Sequence, residues 1–320
     1  MLATESRVSP RVLAVIDGVT VFPGGLSATT AGETYDENNS ANLARTLGGI
    51  LYQTAHNGRD KPLELAVRSF RDPAFEKGLL ARTPATTRPV EARVVGHDAG
   101  TLIVDLDGVR VRSAIPAEQA AVGESVRIDL PCARPGLSPG FLYLYGAHGR
   151  QMQGPMLRLY AHVADPLVSP DVWAATVELL QSLDVGWHAK VLSNQVLYPR
   201  NDAVVIYLQR DGWRHARRIA ETLQDTGLLG AGQSPFTRQI TDGVSCAFEP
   251  SDKRGAHKGL SFGQHRANIL AQALVTHACL PDPDERPVAE SVYSSFLDAD
   301  VDPAEPARNM SSPMTDVLGI

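Results

Sequence analysis

The stretch that decides the fold runs from Leu157 to Tyr207 and reads LRLYAHVADPLVSPDVWAATVELLQSLDVGWHAKVLSNQVLYPRNDAVVIY. Its first seven residues alternate apolar and polar side chains, which is typical of a strand with one buried face. The alternation places Arg158, Tyr160 and His162 together on the face opposite the leucines. Groups that bind anions or transfer protons are therefore predicted to project side by side from one strand.

Two further strands are predicted in the same stretch. In GWHAKVL, His188 and Lys190 share one face, away from the apolar residues between them. In YPRNDAVVIY, Arg200 stands at the start of a buried strand, and Asp202 follows close enough to pair with it. The stretch thus predicts three strands that carry cations toward one region.

Helical patterns flank these strands. Ser169 with Pro170 begins one helix, and residues 211–228 form a second. After a loop and strand that contain Arg238, residues 261–278 predict a third helix, with Arg266 in its second turn. The first turn of that helix can receive an anion, because helix N-termini carry unpaired N–H groups.

The N-terminal half has a different pattern. Ser40 is predicted to cap a helix, residues 64–82 a weaker one, and residues 90–146 a set of strands with a hairpin at Asp107-Gly108. We therefore predict an α+β protein in three parts. They are an N-terminal helical and small β-sheet region (residues 1–146), a mixed or antiparallel sheet domain flanked by helices (147–280), and an acidic tail (281–320). The tail lacks periodicity and is predicted to be disordered or ordered only by a partner.

Charge is unevenly distributed along the 320 residues, of which 43% are apolar. The net charge is -6, but residues 281–320 hold nine Asp and Glu against two Arg, so the remaining residues carry +1. Residues 186–280 hold eleven Lys and Arg against seven Asp and Glu. This balance argues against general nucleic-acid binding and predicts that an anionic substrate is drawn to the basic segment.

Several classes of site are disfavoured. Three scattered cysteines predict a reduced, cytoplasmic chain, and no apolar run predicts a membrane span or a signal peptide. The histidines show no spacing that closes a metal-ligand set, and Gly227–Gly232 lacks the Lys-Ser or Lys-Thr of a nucleotide loop. We expect neither a metal nor a cofactor. The remaining Lys, Arg, Tyr and His suit removal of a proton next to a carbonyl while arginines hold a departing oxyanion.

The runs LRLYAHV, WHAKVL, YPRNDAVVIY, SPFTRQITDGVSCAFEP and SFGQHRANILAQALV occur in this order, and PGLSPGFLYLYG precedes them. Over about residues 40–278 the chain resembles the HopA-type effector domain family. It is similar to the stand-alone lyases of class V lanthipeptide pathways, which are distantly similar to phosphothreonine lyases of the OspF and SpvC kind. The resemblance implies metal-independent elimination of phosphate from phosphoserine or phosphothreonine of a ribosomal precursor peptide, giving dehydroalanine or dehydrobutyrine. A separate kinase, expected as a heterodimer partner, phosphorylates the peptide first.

The resemblance also implies roles for individual residues. Lys190 matches the general base carried on a strand, although lysine has an ordinary pKa of about 10.4 and would need a lower value. Arg158 and Tyr160 match a Lys-x-His pattern in which the histidine is the acid, so either Tyr160 or His162 can be the acid here. The phosphate-binding candidates are Arg158, Arg200, Arg238 and Arg266, because arginine binds phosphate with two hydrogen bonds. Asp202 and His188 are supporting residues.

Structural interpretations of the same residues stay open. Lys190 can be a solvated surface lysine, Tyr160 a core tyrosine, and Arg200 with Asp202 an ion pair that only stabilises the strand. The alternative function is a non-catalytic scaffold that holds precursor peptide and kinase, with the N-terminal half grasping either one. A third possibility is an effector that removes phosphate from host signalling proteins.

Overall fold

Helices and a small sheet form the N-terminal part of the chain. The computed structural model describes residues 7–63, 70–106, 108–146 and 154–320. Its first elements are α1 (Pro10–Asp17), β1 (Val19–Val21), β2 (Ser27–Thr30), β3 (Glu33–Asp36), α2 (Ser40–Leu51) and α3 (Pro73–Ala81). A π-helical segment, Tyr52–His56, continues α2. Asn39, one residue before the predicted cap, accepts a hydrogen bond from Asn42 N at 2.8 Å. Of the weak helix predicted over 64–82, residues 64–69 lie outside the described residues.

A four-stranded antiparallel sheet follows, as the alternation from Val90 predicts. Its strands are β4 (Thr87–Asp98), β5 (Thr101–Leu106), β6 (Val109–Pro116) and β7 (Ser125–Pro131), in the order β6-β5-β4-β7. Alternate residues of these strands build a core of their own around Leu102 and Val104. This small sheet therefore has its own apolar support.

The main sheet has seven strands, and neighbouring strands run antiparallel. They are β8 (Ala133–Ser138), β9 (Phe141–Tyr145), β10 (Leu157–Val163), β11 (Trp187–Leu192), β12 (Arg200–Leu208), β13 (Arg238–Thr241) and β14 (Val244–Phe248). The order is β13-β14-β10-β12-β11-β9-β8. The domain boundary predicted at residue 146 cuts across this sheet, because β8 and β9 precede it and β9 pairs with β11, which comes after it.

Helices cover both faces of the main sheet. They are α4 (Ser169–Gln181), α5 (Ala216–Asp225), α6 (Phe262–Ala278) and α7 (Val288–Asp298). One face, with Leu157 and Leu159, packs against α4 and α5. The other, with Tyr160, Val205 and Tyr207, packs against α2, α6 and α7. The alternation predicted for β10 is confirmed, but the polar face is also largely covered.

The segment after Leu280 is ordered in the structure, which corrects the predicted disordered tail. Val288, Val292 and Phe296 recur at four-residue spacing in α7, and Phe296 is fully buried. The residues after α7 return to α6, where Arg266 Nε donates to Pro306 O at 2.8 Å. Arg266 Nη2 donates to Asn309 Oδ1 at 2.9 Å. A buried guanidinium needs such acceptors, so these contacts hold the acidic segment in place.

The architecture is α+β, as predicted from the sequence. Within the described part of the chain, no helix is both long and apolar enough to cross a membrane.

Candidate active site

A cleft of about 600 Å³ opens on the α2–α6 face of the main sheet. Its floor carries Arg158, Lys190 and Tyr207 from three neighbouring strands. The walls come from the β8–β9 turn, the π-helical segment and the loop before α6, and include Phe141, Tyr52, Glu249, Asp252, His257 and Lys258. The predicted base and one predicted phosphate ligand therefore line the same cleft.

The strand register brings these side chains together. Arg158 lies opposite Tyr207, and Tyr207 lies opposite His188 on the next strand. In the adjacent row, Tyr160 lies opposite Val205, and Val205 lies opposite Lys190. Side chains in such rows share one face of the sheet. Lys190 and Arg158 thus belong to neighbouring rows, two strands apart.

Lys190 is half-buried at the floor of the cleft. Its Nζ lies 4.1 Å from the centroid of the Phe141 ring, a distance that allows a cation–π contact. This contact directs the amine along the cleft wall. Lys190 is therefore neither buried in the core nor extended into bulk water.

Arg158 is the buried cation of the cleft, with 8% of its surface exposed. Its guanidinium pairs with Glu249 and lies 4.9 Å from the centroid of the Tyr207 ring. Burial acts to lower the pKa of Arg158, but Tyr207, Tyr160 and Glu249 outweigh burial and raise the pKa. The side chain remains charged and is suited to bind an anion that displaces Glu249.

Arg200 and Asp202 reach the same face through an irregularity in β12. The pairing between β10 and β12 shifts between Ala161 and Val163, and Ala203 and Val204 both face the opposite core. Arg200 Nε and Nη2 donate to the two Asp202 oxygens, each at 2.7 Å. Burial would raise the pKa of Asp202, but the Arg200 charge lowers it to about 2.

Arg200 does not line the cleft. Its Nη2 also donates to the Tyr52 hydroxyl at 3.1 Å and to Asn57 Oδ1 at 3.0 Å. Tyr52 does line the cleft. Arg200 is therefore engaged in holding a wall residue rather than directed at a ligand.

Tyr160 lies on β10 beneath the π-helical segment, two residues from Arg158. Its ring stands edge-on to His56, with centroids 5.6 Å apart. Burial raises the pKa of Tyr160 well above its ordinary value, although Arg158 opposes the shift. Among the described residues, its buried hydroxyl has no hydrogen-bond partner. It keeps its proton and has donor capacity to spare.

His162 lies apart from the cleft, because it stands further along β10, beside the irregular part of β12. Its Nδ1 accepts a hydrogen bond from Gly232 N at 3.2 Å, and its ring packs near Gly230. The three predicted side chains of β10 therefore do not all reach the cleft, which Arg158 lines and His162 does not. Of the two candidate acids, Tyr160 is the one beside Arg158.

The remaining predicted residues lie outside the cleft lining. His188 is buried and stacks on Tyr207, with ring centroids 4.2 Å apart. Arg266 is buried, and its guanidinium contacts the C-terminal segment. Arg238 pairs with Glu305 at 3.2 Å and with Asp316 at 2.5 Å. The guanidinium of Arg238 therefore binds carboxylates, and that of Arg266 binds carbonyl oxygens. Neither is directed at the cleft, where the phosphate was predicted to bind.

Sequence reasoning missed several residues of the cleft. Glu249 directly follows β14, which pairs with β10, so its place beside Arg158 depends on a strand pairing that the sequence pattern does not reveal. Lys258 is exposed in the loop before α6. Tyr52 and His56 continue the helical pattern of α2, but the π-helical segment that aims them is not visible in the sequence.

His56 packs against residues next to the cleft floor. Its Nδ1 lies 3.0 Å from Ser234 Oγ, and its Nε2 lies 3.9 Å from Asp202 Oδ2. Burial lowers the pKa of His56 to about 4, against the attraction of Asp202. Gly263 makes room for the ring, since a Cβ there would lie 2.0 Å from His56 Cδ2. His56 is therefore a neutral, tightly packed support at neutral pH.

One group beside the cleft has the composition of a metal site. Ligand atoms of Asp252, His257 and His265 lie within 4.8 Å of one another. Arg266 Nη1 can only donate, so His265 Nδ1 accepts this bond at 2.7 Å. Burial lowers the pKa of His265 to about 3, so its one ring proton lies on Nε2, which faces Asp252 at 3.1 Å. A protonated nitrogen cannot coordinate a cation, and these groups instead fix the loop over the cleft.

Comparison with known proteins gives one family match, and the solved structures that resemble the chain include two bacterial effectors. The HopA1 effector protein family matches residues 132–308, more than half of the chain. An effector protein from Pseudomonas syringae pv. tomato strain DC3000 is 15% identical, with a TM-score of 0.47 over 84% of this chain and 95% of that chain. The effector from Pseudomonas syringae pv. syringae strain 61 is 13% identical, with a TM-score of 0.46 over 84% and 94%. No curated protein matches the chain.

Proposed function

The chain belongs to the HopA1 effector protein family, and we propose that it is a phospholyase. In this proposal it eliminates phosphate from phosphoserine or phosphothreonine of a ribosomal precursor peptide, leaving dehydroalanine or dehydrobutyrine. A separate kinase supplies the phosphorylated peptide and forms a heterodimer with this chain. The observation that carries the proposal is that the Lys190 amine and the buried Arg158 guanidinium line one cleft.

The proposed reaction requires a base and an anion site on the same side of the substrate. Lys190 Nζ takes the hydrogen from Cα, the electron pair forms the Cα–Cβ double bond, and the Cβ–O bond to phosphate breaks. Arg158 and Lys258 hold the departing phosphate, which is more negative after bond cleavage. In this proposal Tyr160, the candidate acid two residues from Arg158 on β10, donates the compensating proton to the departing phosphate.

The test uses a synthetic phosphothreonine peptide and mass spectrometry. Elimination removes phosphoric acid and leaves an alkene, whereas hydrolysis removes phosphate and leaves a hydroxyl, so the two product masses differ by one water. We expect elimination, and a slower rate when the Cα hydrogen is replaced by deuterium. Lys190→Ala should reduce the rate by about a hundredfold or more, while Lys77→Ala, on the exposed surface of α3, leaves it unchanged.

A scaffold that only binds peptide and kinase gives the opposite result. The phosphopeptide then keeps its mass in the presence of the protein and of the kinase, and Lys190→Ala changes nothing. Circular dichroism of Lys190→Ala shows whether the variant is still folded, so a loss of activity can be assigned to the missing amine rather than to unfolding.

A further inference from the structure

A second cavity, of about 360 Å³, lies in the small sheet. It is lined by residues 111–115 of β6 and residues 127–130 of β7. The order β6-β5-β4-β7 puts these two strands at opposite edges of the sheet. The sheet must therefore curl until its two edges face each other across the cavity.

The lining residues show that the cavity is a gap between strand edges. A depression on the face of a sheet contacts every second residue of a strand, because side chains alternate between faces. Here both strands contribute unbroken runs. Consecutive residues line a space only where the backbone edge of the strand borders it, and such an edge presents N–H and C=O groups for pairing.

The side chains around the gap suit an extended peptide. Val111, Ile115 and Leu130 are half-buried there, so apolar groups of a ligand can complete their cover. Arg112 is already paired with Asp98. On the opposite edge Arg127 and Asp129 both line the gap, so an acidic side chain of the ligand can bind at Arg127 but not along the whole edge.

The gap and the candidate active site are close to each other along the chain. Cys132 alone separates β7 from β8, and β8 ends at Ser138, which lines the cleft together with Pro139. A strand rises about 3.3 Å per residue, so Ser138 lies at most about 26 Å from Leu130. A single extended peptide of about ten residues can span both places.

We infer that the gap between β6 and β7 binds an extended segment of the peptide substrate, which adds as a strand and anchors the peptide while its phosphorylated residue reaches Lys190. The inference rests on the proposed function for the identity of the ligand. Main-chain pairing supplies the affinity in this mode, and Arg127 and the apolar residues select the sequence.

The test measures binding without catalysis. The probe is an unphosphorylated, fluorescein-labelled peptide in which Glu alternates with Val, and its control is the same peptide with alternate backbone nitrogens methylated. Fluorescence anisotropy with the full chain should show saturable binding of the probe and not of the methylated control. Arg127→Glu should weaken binding about tenfold, whereas Arg93→Glu, exposed on the central strand β4, should not. Ser113→Pro, which removes an edge N–H, serves as the second variant.

Hydrogen exchange locates the peptide, and the probe should slow exchange in residues 111–115 and 127–130. Lys190→Ala should bind the probe as the unaltered protein does, so a failed elimination assay with intact probe binding rejects the proposed function alone. The inference itself is overturned if the probe does not bind, if Arg127→Glu binds it equally, or if protection appears elsewhere.

Discussion

Arg158 is already occupied by Glu249, and this pairing sets the affinity of the cleft for an anion. Phosphate must displace the carboxylate before it can bind the guanidinium. Glu249→Gln should therefore strengthen binding of inorganic phosphate by about fivefold, a modest gain because the Glu249 side chain is 37% exposed. Isothermal titration calorimetry measures the change, and Glu178→Gln, exposed on α4, should have none. Equal affinity in all three proteins would place the phosphate away from Arg158.

Replacing Tyr160 by Phe distinguishes a catalytic role of its hydroxyl from a structural one. Because the described residues offer this hydroxyl no hydrogen bond, Tyr160→Phe removes an unsatisfied buried group and should stabilise the fold by about 1 kcal/mol. The same change should slow elimination about a hundredfold. Thermal melting and the mass assay give the two readouts.

The control for Tyr160 is Tyr198. Its hydroxyl lies 2.6 Å from Ser169 Oγ and donates to Leu192 O at 3.0 Å. Tyr198→Phe should destabilise the fold by about 1 kcal/mol and leave the rate unchanged. A Tyr160→Phe variant with full activity would remove Tyr160 from the reaction.

At the residue scale, strand alternation alone predicts the placement of the central cleft residues. Arg158, Tyr160 and Lys190 fall on the expected face because β10 and β11 are regular up to those positions. His162 keeps the alternation of β10, since Val163 lies in the same core as Ala161, but it stands further along the strand, where it contacts Gly232 instead of the cleft. Arg238 and Arg266 resemble phosphate ligands in the sequence, but their acceptors come from a segment that shows no strong pattern.

The packing of α6 against the π-helical segment depends on one glycine. A Cβ on Gly263 would overlap His56, so Gly263→Ala should separate the two elements and destabilise the fold by about 1–3 kcal/mol. Gly49→Ala in α2 is the matched control, since a Cβ there meets no atom within 4 Å. That change should stabilise the protein by about 0.5–1 kcal/mol through helix propensity. Denaturant titration measures the free energy of unfolding of both variants. A Gly263→Ala variant as stable as the unaltered protein would contradict the packing.

Elements with a clear period were predictable from the sequence, and irregular ones were not. The three central strands and α4 to α6 are consistent with the alternation or helical spacing of their residues. The shift in β12 that turns Asp202 toward the cleft depends on pairing with β10, which a single strand does not encode. By contrast, α7 does carry the four-residue spacing of a helix, and the many acidic residues and prolines around it led to the prediction of disorder.

For the molecule as a whole, buried histidines predict loss of stability in mild acid. The pKa of His56 falls to about 4 and that of His265 to about 3, while an unfolded chain has about 6.5. Below pH 6.5 the unfolded state therefore binds protons that the folded state does not, and stability falls as pH decreases. Each histidine contributes a slope of about 1.4 kcal/mol per pH unit down to its folded pKa.

Denaturant titrations between about pH 7 and about pH 5 measure this slope. His56→Gln should reduce the slope by about 1.4 kcal/mol per pH unit, its own share, whereas His97→Gln, exposed in β4, should leave the slope unchanged. An unchanged slope in the His56 variant would mean that this ring is protonated in the folded state. Asp202 acts at lower pH, because its folded pKa of about 2 preserves its ion pair until the pH falls well below 4.

The charge distribution of the whole chain also has a structural explanation. The acidic residues after 280 fold onto the basic half, where Glu305 and Asp316 pair with Arg238. That cation outside the cleft is thereby neutralised, while Lys190 and Lys258 remain at the cleft.

The contact of Arg266 with Pro306 and Asn309 imposes an order on biosynthesis. Asn309 Nδ2 also donates to Glu249 O at 2.7 Å, so the wall beside Arg158 is anchored by a residue translated sixty codons later. A nascent chain that has emerged only as far as α6 holds a buried arginine without its acceptors. The ribosome must therefore release residues 306–309 before the cleft can mature, and premature stop codons between α6 and these residues should yield protein that is degraded rather than partly active.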